Sequence, residues 1–360
     1  MSLRFGLAEE AGLDPVALGA VEASLAASIA EEAFPGAVAL VARHGVIAGH
    51  WALGLRRVSP PAAMTHDVVF DLASLTKAVC TAPVVLRLAA EARLDLAAPI
   101  GEVLPWTRSH FVARRTSLDL LTHRAGLPPS ADIAWASEPA ERHRMLLAAA
   151  GERPLEGSVY SDIGYYLLGL VAEAVAGEDL GRLFARWVAL PVGMERSGFG
   201  PFRDADAPLA ATELVDGRPL EGVVHDGKAR LMGVPVGHAG LFAPALDVAL
   251  YAQCLLDGGR GRLGDILPGE YVRRMLAPAT DDRRDVRSLG LFYWGERDAG
   301  GRPLDLWGHT GFTGTSFAVS PAEGLVAVLL TNRVHPYRRP ESALRAARQR
   351  FHEAVLASLG

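Results

Sequence analysis

Lysine and cysteine are nearly absent from this chain of 360 residues. Lys77 and Lys228 are its only lysines, so every other cationic side chain that is charged at all pH values is an arginine. Cys80 and Cys254 are the only cysteines, each inside an apolar helical pattern ("TKAVCTAPVV" and "LYAQCLLDGG"). Two such isolated residues argue against a disulfide framework and against a cysteine-ligated zinc site. They read instead as buried free thiols that behave as small hydrophobes. No apolar run approaches the roughly 20 residues that a membrane-spanning helix requires. The start, "MSLRFGLAEEAGLDP", lacks the basic residues and apolar stretch of an export signal. The expected location is therefore cytoplasmic as the sequence stands, and periplasmic or secreted if a signal segment has been trimmed. The formal net charge of -5 leaves no basic excess to set against nucleic-acid phosphates, so no nucleic-acid partner is expected.

What is present is an ordinary globular composition, 50% hydrophobic and 21% charged, with enough apolar material for a large core. A helical pattern over about 15–32 precedes "GAVALVARHGVIAGHWALGLR", which reads as a β-hairpin turning at His44-Gly45. The spacing of Val79, Val84, Leu86 and Leu88 predicts a buried helix over about 74–94, with Ser74 near its N-terminus. A long middle follows, helical in places and broken by Gly and Pro loops. Strand signals return beyond about residue 284 in "SLGLFYW", "TSFAVSP" and "LVAVLLTN", before an amphipathic helix over about 341–359. The expected fold is α/β (α+β): an antiparallel sheet built by the two terminal segments (1–71 and 285–360), flanked by helices, with a mainly helical region (72–284) inserted. The active site is expected in the cleft between them, and a monomer is expected.

Three elements carry chemistry. The first is Ser74 and Lys77 in "FDLASLTKAV". Residues three apart share a helix face, so the pair can hydrogen-bond. A serine hydroxyl is a weak nucleophile until a base takes its proton, and a lysine does so only with a depressed pKa. Apolar neighbours would push Lys77 towards neutrality, and the helix N-terminus offers free N–H groups to a developing oxyanion. The competing interpretation makes Ser74 a helix cap and Lys77 a solvated first-turn side chain. The second element is Tyr160 in "GSVYSDIGYYLLGL", placed before a helix as a candidate base or as a loop anchor, with Tyr165 and Tyr166 as packing residues. The third is "LWGHTGFTGTSFAVSP", where Gly308, Gly311 and Gly314 around His309 and Thr310 suit either a strand edge that approaches a substrate or a bulged strand.

In combination these elements resemble the penicillin-recognising serine hydrolases: class C β-lactamases, DD-peptidases and related esterases and D-aminopeptidases, whose motifs include Ser-x-x-Lys. "LLTHRAGL", "PVGMERSGF" and "GHAGLFAPALDVA" resemble further segments of that family, over about 35–335. The resemblance implies the β-lactamase/transpeptidase-like fold and two-step hydrolysis through an acyl-enzyme. It implies Ser74 as the nucleophile, Lys77 as proton acceptor and Tyr160 as partner base and acid, with backbone N–H groups of Ser74 and Phe312 as the oxyanion hole. Asp162, His309, Thr310 and Gly311 would bind substrate. No cofactor and no metal are implied, and the partner is a small ester, amide or β-lactam.

Two departures qualify it. Tyr160-Ser161-Asp162 stands where class C β-lactamases carry Tyr-x-Asn; a carboxylate cannot donate to a substrate carbonyl, and an ionised Asp162 would hold Lys77 charged. His309 stands where many members carry the lysine of Lys-Thr-Gly, which predicts a pH-dependent cation in place of a fixed one. Both favour an ester or D-amino-acid amide over a penicillin. "GVVHDGKARLMGVPVGHAG" resembles a VHDxNA loop of a bacterial subset; His225 and Asp226 read as loop braces, with Lys228 at the cleft's rim. His225, Asp226 and His238 lack regular metal-ligand spacing. His123 is expected to be structural, near the nucleophile's helix, and Arg333 a brace.

Overall fold

The computed structural model describes residues 3–130, 139–202, 207–280, 285–295 and 305–359. Its main sheet runs in the order Arg4–Phe5, Val46–Arg57, Gly36–Arg43, Leu325–Thr331, Ser316–Ser320, Trp307–Thr310, Phe292–Tyr293, with Ala62–Ala63 paired beside Val46–Arg57. All of these pairings are antiparallel except that of Arg4–Phe5. The two ends of the chain meet in the middle of the sheet, where Val38 pairs with Leu330 and Leu40 with Val328.

Strand periodicity explains the layering. Along Gly36–Arg43, Val38, Leu40 and Ala42 enter one apolar core, while Ala37, Ala39 and Val41 enter another on the opposite face. A strand buried on both faces reads as a continuous apolar run, as "GAVALVA" does. Helices Pro15–Ala30 and Glu341–Ala357 cover one face; Ala245–Leu256 packs on the other, with Ala82–Ala90 and Asp162–Ala176 beyond it in the same core. Asp14 caps the first helix by accepting from the Val16 N–H at 2.8 Å, and Pro15 occupies its first turn, where a missing N–H costs nothing. His44 (φ 52°) and Gly45 (φ 80°) are both left-handed, the conformation that a two-residue hairpin turn demands.

Three details differ from the sequence reading. The stretch after Ser74 opens as a π-helical turn, Lys77–Thr81, before the α-helix Ala82–Ala90, and the helix stops at left-handed Ala92 (φ 54°) instead of reaching Leu94. In "SLGLFYW" the chain bends at Gly290 (φ 99°), and Phe292–Tyr293 alone joins the sheet. The middle of the chain also holds a small sheet, Val69–Asp71, Leu241–Pro244 and Gly198–Phe199. That sheet delivers the chain to residue 74. Cys80 and Cys254 are buried free thiols, and burial pushes the Cys254 thiol up to about 12.

Candidate active site

The segment before Ser74 is held from both sides. The Asp71 carboxylate accepts from the Ala73 N–H at 2.8 Å and from the His225 N–H at 2.6 Å, which bridges strand Val69–Asp71 to the loop at 225. Ala73 is thereby kept left-handed (φ 47°), a strained conformation for a residue with a Cβ. Burial pushes the Asp71 carboxyl above its usual range against those two N–H donors. Thr76 Oγ1 donates to the Ala73 carbonyl (2.7 Å) and accepts from the Leu241 N–H (3.1 Å), tying the turn to the small sheet.

Lys77 lies under the floor of the cleft, fully buried. Its Nζ donates to Ser74 Oγ at 2.9 Å, to Asp162 Oδ1 at 2.7 Å and to the His238 carbonyl at 3.1 Å. Three acceptors match the three N–H groups of an ammonium; a neutral amine would fill only two of them. Burial opposes the charge, but the Tyr160 phenol and the Asp162 carboxylate outweigh it, and the Lys77 pKa rises above the ordinary lysine value. The expected drift to neutrality is therefore reversed, because the carboxylate of Asp162 reaches the amine directly.

Tyr160 stands beside this pair, its ring centroid 4.9 Å from Lys77 Nζ. The residues around it are pinned. His123, left-handed at φ 58°, accepts from the Ser161 N–H at Nδ1 (3.0 Å) and from the Val159 N–H at its carbonyl (3.0 Å). Its ring lies 4.5 Å from the Tyr160 ring, and burial keeps its pKa well below the usual histidine value. His123 is structural as expected, although it anchors the Tyr160 loop and not the helix of Ser74. Ser161 caps helix Asp162–Ala176 by accepting from the Gly164 N–H and donates to the Pro128 carbonyl at 2.6 Å. Tyr165 and Tyr166 are buried in that helix, with the Tyr165 hydroxyl on the Leu121 carbonyl. Gly237 lets its loop reach the helix: a Cβ there would sit 2.0 Å from the Tyr165 carbonyl oxygen.

The opposite wall is the end of strand Trp307–Thr310. Thr310, Gly311 and Phe312 line the cleft, whose volume is about 980 Å³, together with Ser74, Tyr160 and Asp162. A Cβ on Gly311 would come within 2.4 Å of the Leu72 carbonyl, so glycine is what lets this strand end approach the Ser74 turn. The backbone N–H groups of Ser74 and Phe312 have no hydrogen-bond partner among the described residues. Arg348, from the C-terminal helix, donates through Nη2 to the Gly311 carbonyl (3.2 Å) and the Thr315 carbonyl (2.8 Å). The Gly311 carbonyl and the Phe312 N–H belong to one planar peptide, so fixing one fixes the other. Burial pulls the Arg348 guanidinium down to about 10, which leaves it charged at neutral pH. Arg333 braces the same loop, donating to the Phe312 carbonyl at 2.6 Å and the Arg339 carbonyl at 2.7 Å.

His309 is not among the residues that line this cleft; its side chain is buried, with its ring 6.1 Å from that of Tyr160. Nδ1 lies 2.8 Å from the Thr310 carbonyl and so carries the proton, while Nε2 is buried without a partner among the described residues. Burial, with Lys77 adding to it, lowers the pKa to about 3. The pH-dependent cation that the sequence suggested is thus replaced by an imidazole neutral across the physiological range. The braces at His225 and Asp226 are present: His225 Nε2 meets Glu213 Oε2 at 2.8 Å, and Asp226 caps Gly227–Met232 and faces His238 Nε2 at 3.3 Å. Among the described residues no group of three or more His, Cys, Asp or Glu side chains is arranged to hold a metal. A second cavity of about 700 Å³, bordered by His50, His66 and Asp247, holds none of the residues above.

Sequence reasoning missed Arg348, Asp71 and the His238 carbonyl. Asp71 left a faint signal as an acid before the nucleophile's turn; the other two left none. An arginine on a terminal amphipathic helix reads as solvated, and a backbone carbonyl has no sequence signature.

Fold and cleft define a class, and the comparisons agree: the chain belongs to the Beta-lactamase family, whose model matches residues 21–350. It is a serine hydrolase of the β-lactamase and penicillin-binding-protein type. Among individual relatives, it is 30% identical over 359 residues to the N-acetylmuramyl-L-alanine amidase of Bacillus subtilis (strain 168), covering 86% of this chain and 79% of that protein. It is likewise 30% identical over 315 residues to a putative D-alanyl-D-alanine carboxypeptidase of Escherichia coli (strain K12), covering 76% and 71%. The fold matches that of a class C β-lactamase from Rhodobacter sphaeroides with a TM-score of 0.76 at 20% identity, over 94% of this chain and 100% of that one.

Proposed function

We propose that this protein hydrolyses a small ester or amide, D-amino-acid peptides included, through an acyl-enzyme on Ser74. The observation that carries this reading is the 2.9 Å bond between buried Lys77 and Ser74 Oγ, beside Tyr160. Ser74 Oγ attacks the substrate carbonyl carbon, and its proton passes to the Lys77–Tyr160 pair. Because resting Lys77 is an ammonium with all three N–H groups committed, Tyr160 is the first acceptor. The oxyanion receives the N–H groups of Ser74 and Phe312, worth about 2.7–4 kcal/mol per donor in comparable sites. Collapse breaks the bond to the leaving group, which takes the proton from Tyr160. Water then attacks the acyl-serine ester, and Ser74 regains its proton as the acid leaves. Thr310, Gly311 and Asp162 border the substrate, with Asp162 also setting the charge of Lys77.

Penicillin turnover is the weaker reading. Neutral, buried His309 offers no cation to a penicillin carboxylate. Incubation with a fluorophosphonate, followed by peptide mass mapping, tests the proposal: an adduct on Ser74 that Ser74→Ala abolishes supports it, and an unlabelled wild-type Ser74 sinks it.

A further inference from the structure

Both lysines of the chain belong to this one cleft, Lys77 beneath its floor and Lys228 on its wall. Lys77 has all three N–H groups satisfied; Lys228 does not. Its Nζ donates to Ser130 Oγ, and among the described residues no carboxylate lies within ion-pair distance of it. An ammonium has three donors, so two remain for an acceptor that the described residues do not supply.

The acids that border the cleft are committed elsewhere. Asp162 is paired with Lys77, and Asp226 caps its helix and faces His238. Glu341 is exposed, lies 3.9 Å from Arg345, and also acts on Arg333 and Arg348 without a hydrogen bond to either. Across the cleft, Arg333 and Arg348 spend their bonded N–H groups on backbone carbonyls alone. Carbonyls accept hydrogen bonds without cancelling a full positive charge. The cleft therefore carries a local positive excess inside a chain whose net charge is -5. Lys228 has donors to spare and is only partly buried, whereas Arg348, whose Nε is also without a partner among the described residues, is held against the Gly311 and Thr315 carbonyls.

We infer that the substrate bears a carboxylate that docks on Lys228 beside Ser130, so that this cleft selects anionic esters or amides. The inference rests on the acyl-hydrolase reading above and narrows its substrate class.

The test compares p-nitrophenyl butyrate with mono-p-nitrophenyl glutarate, which differ chiefly by a terminal carboxylate. Wild-type protein is expected to favour the glutarate ester about tenfold or more in kcat/KM. Lys228→Met is expected to lower that preference by about tenfold, and Lys228→Arg to keep most of it. The same preference in wild type and Lys228→Met overturns the inference. A second arm needs no turnover: calorimetric binding of monoethyl glutarate and ethyl butyrate to Ser74→Ala protein. Tighter binding of the glutarate, lost on adding Lys228→Met, supports the docking site; equal binding of the two overturns it. An unlabelled Ser74 would sink the hydrolase reading while the binding arm still judges Lys228.

Discussion

Lys77 and His309 are both buried bases near one cleft, and burial takes them in opposite directions. Lys77 meets a carboxylate at 2.7 Å and stays charged with its pKa raised. His309 meets only a backbone carbonyl and two arginines and a lysine at a distance, and its pKa falls to about 3. Desolvation penalises the charged form of each alike. The partners decide the outcome: Tyr160 and Asp162 together return more than the desolvation of Lys77 costs, and nothing does so for His309. Arg348 is an intermediate case, drawn down to about 10 yet charged, because a guanidinium starts so high.

The comparison is broken most severely by removing the Lys77 charge. Lys77→Met is expected to cut kcat/KM for p-nitrophenyl acetate by roughly four orders of magnitude, on the scale seen when one member of a catalytic unit is lost. A loss under tenfold in steady-state assays, with the variant folded by circular dichroism, would count against the mechanism. Arg348→Met frees the 311–312 peptide and is expected to lower kcat by about 10- to 100-fold with little change in KM, since an oxyanion donor acts in the transition state. A change confined to KM would assign Arg348 to substrate binding.

Asp162→Asn sharpens the contrast by leaving Lys77 an acceptor but no charge. The Lys77 pKa then falls, and because the ammonium is the working form, the falling limb of the kcat/KM profile moves to lower pH. The direction follows from the loss of an opposite charge 2.7 Å from Nζ. An unmoved limb would show that another group sets it.

The smallest effect concerns stability. A histidine whose pKa is lower folded than unfolded stabilises the fold above its unfolded value and loses that contribution as pH falls towards the folded value. For His309 the window runs from about 6.5 down to about 3. Within it the loss approaches about 1.4 kcal/mol per pH unit. Urea unfolding of His309→Gln between pH 6 and 4 should show a slope shallower by about that amount; an unchanged slope would assign the pH dependence to other groups. Parallel assays with nitrocefin and p-nitrophenyl acetate complete the set, with the ester expected to be cleaved faster by wild type.

How much of this was legible beforehand follows from which interactions are local. Ser74 and Lys77 are three residues apart, so their contact could be read from spacing. The apolar runs at 36–43 and 325–331 showed strands, and their positions near the chain ends suggested a shared sheet. Asp162 showed itself as a departure from a motif, and its influence on Lys77 could be stated as a condition. Whether that condition held depended on a contact spanning 85 residues. The π-helical turn at Lys77 left no pattern in a sequence that reads as α-helix throughout.

The sequence by itself determined the chemical inventory: a serine and a lysine at helical spacing, a tyrosine ahead of a helix cap, and a glycine-flanked strand. It determined the alternation that buries Gly36–Arg43 on both faces. Only the tertiary structure decided protonation. Among the described residues it put a carboxylate against Lys77 and none against His309 or Lys228, and it set Arg348 on the peptide that holds the Phe312 N–H. Charge inside a protein is settled by desolvation set against partners a few ångströms away, and those partners come from distant parts of the chain.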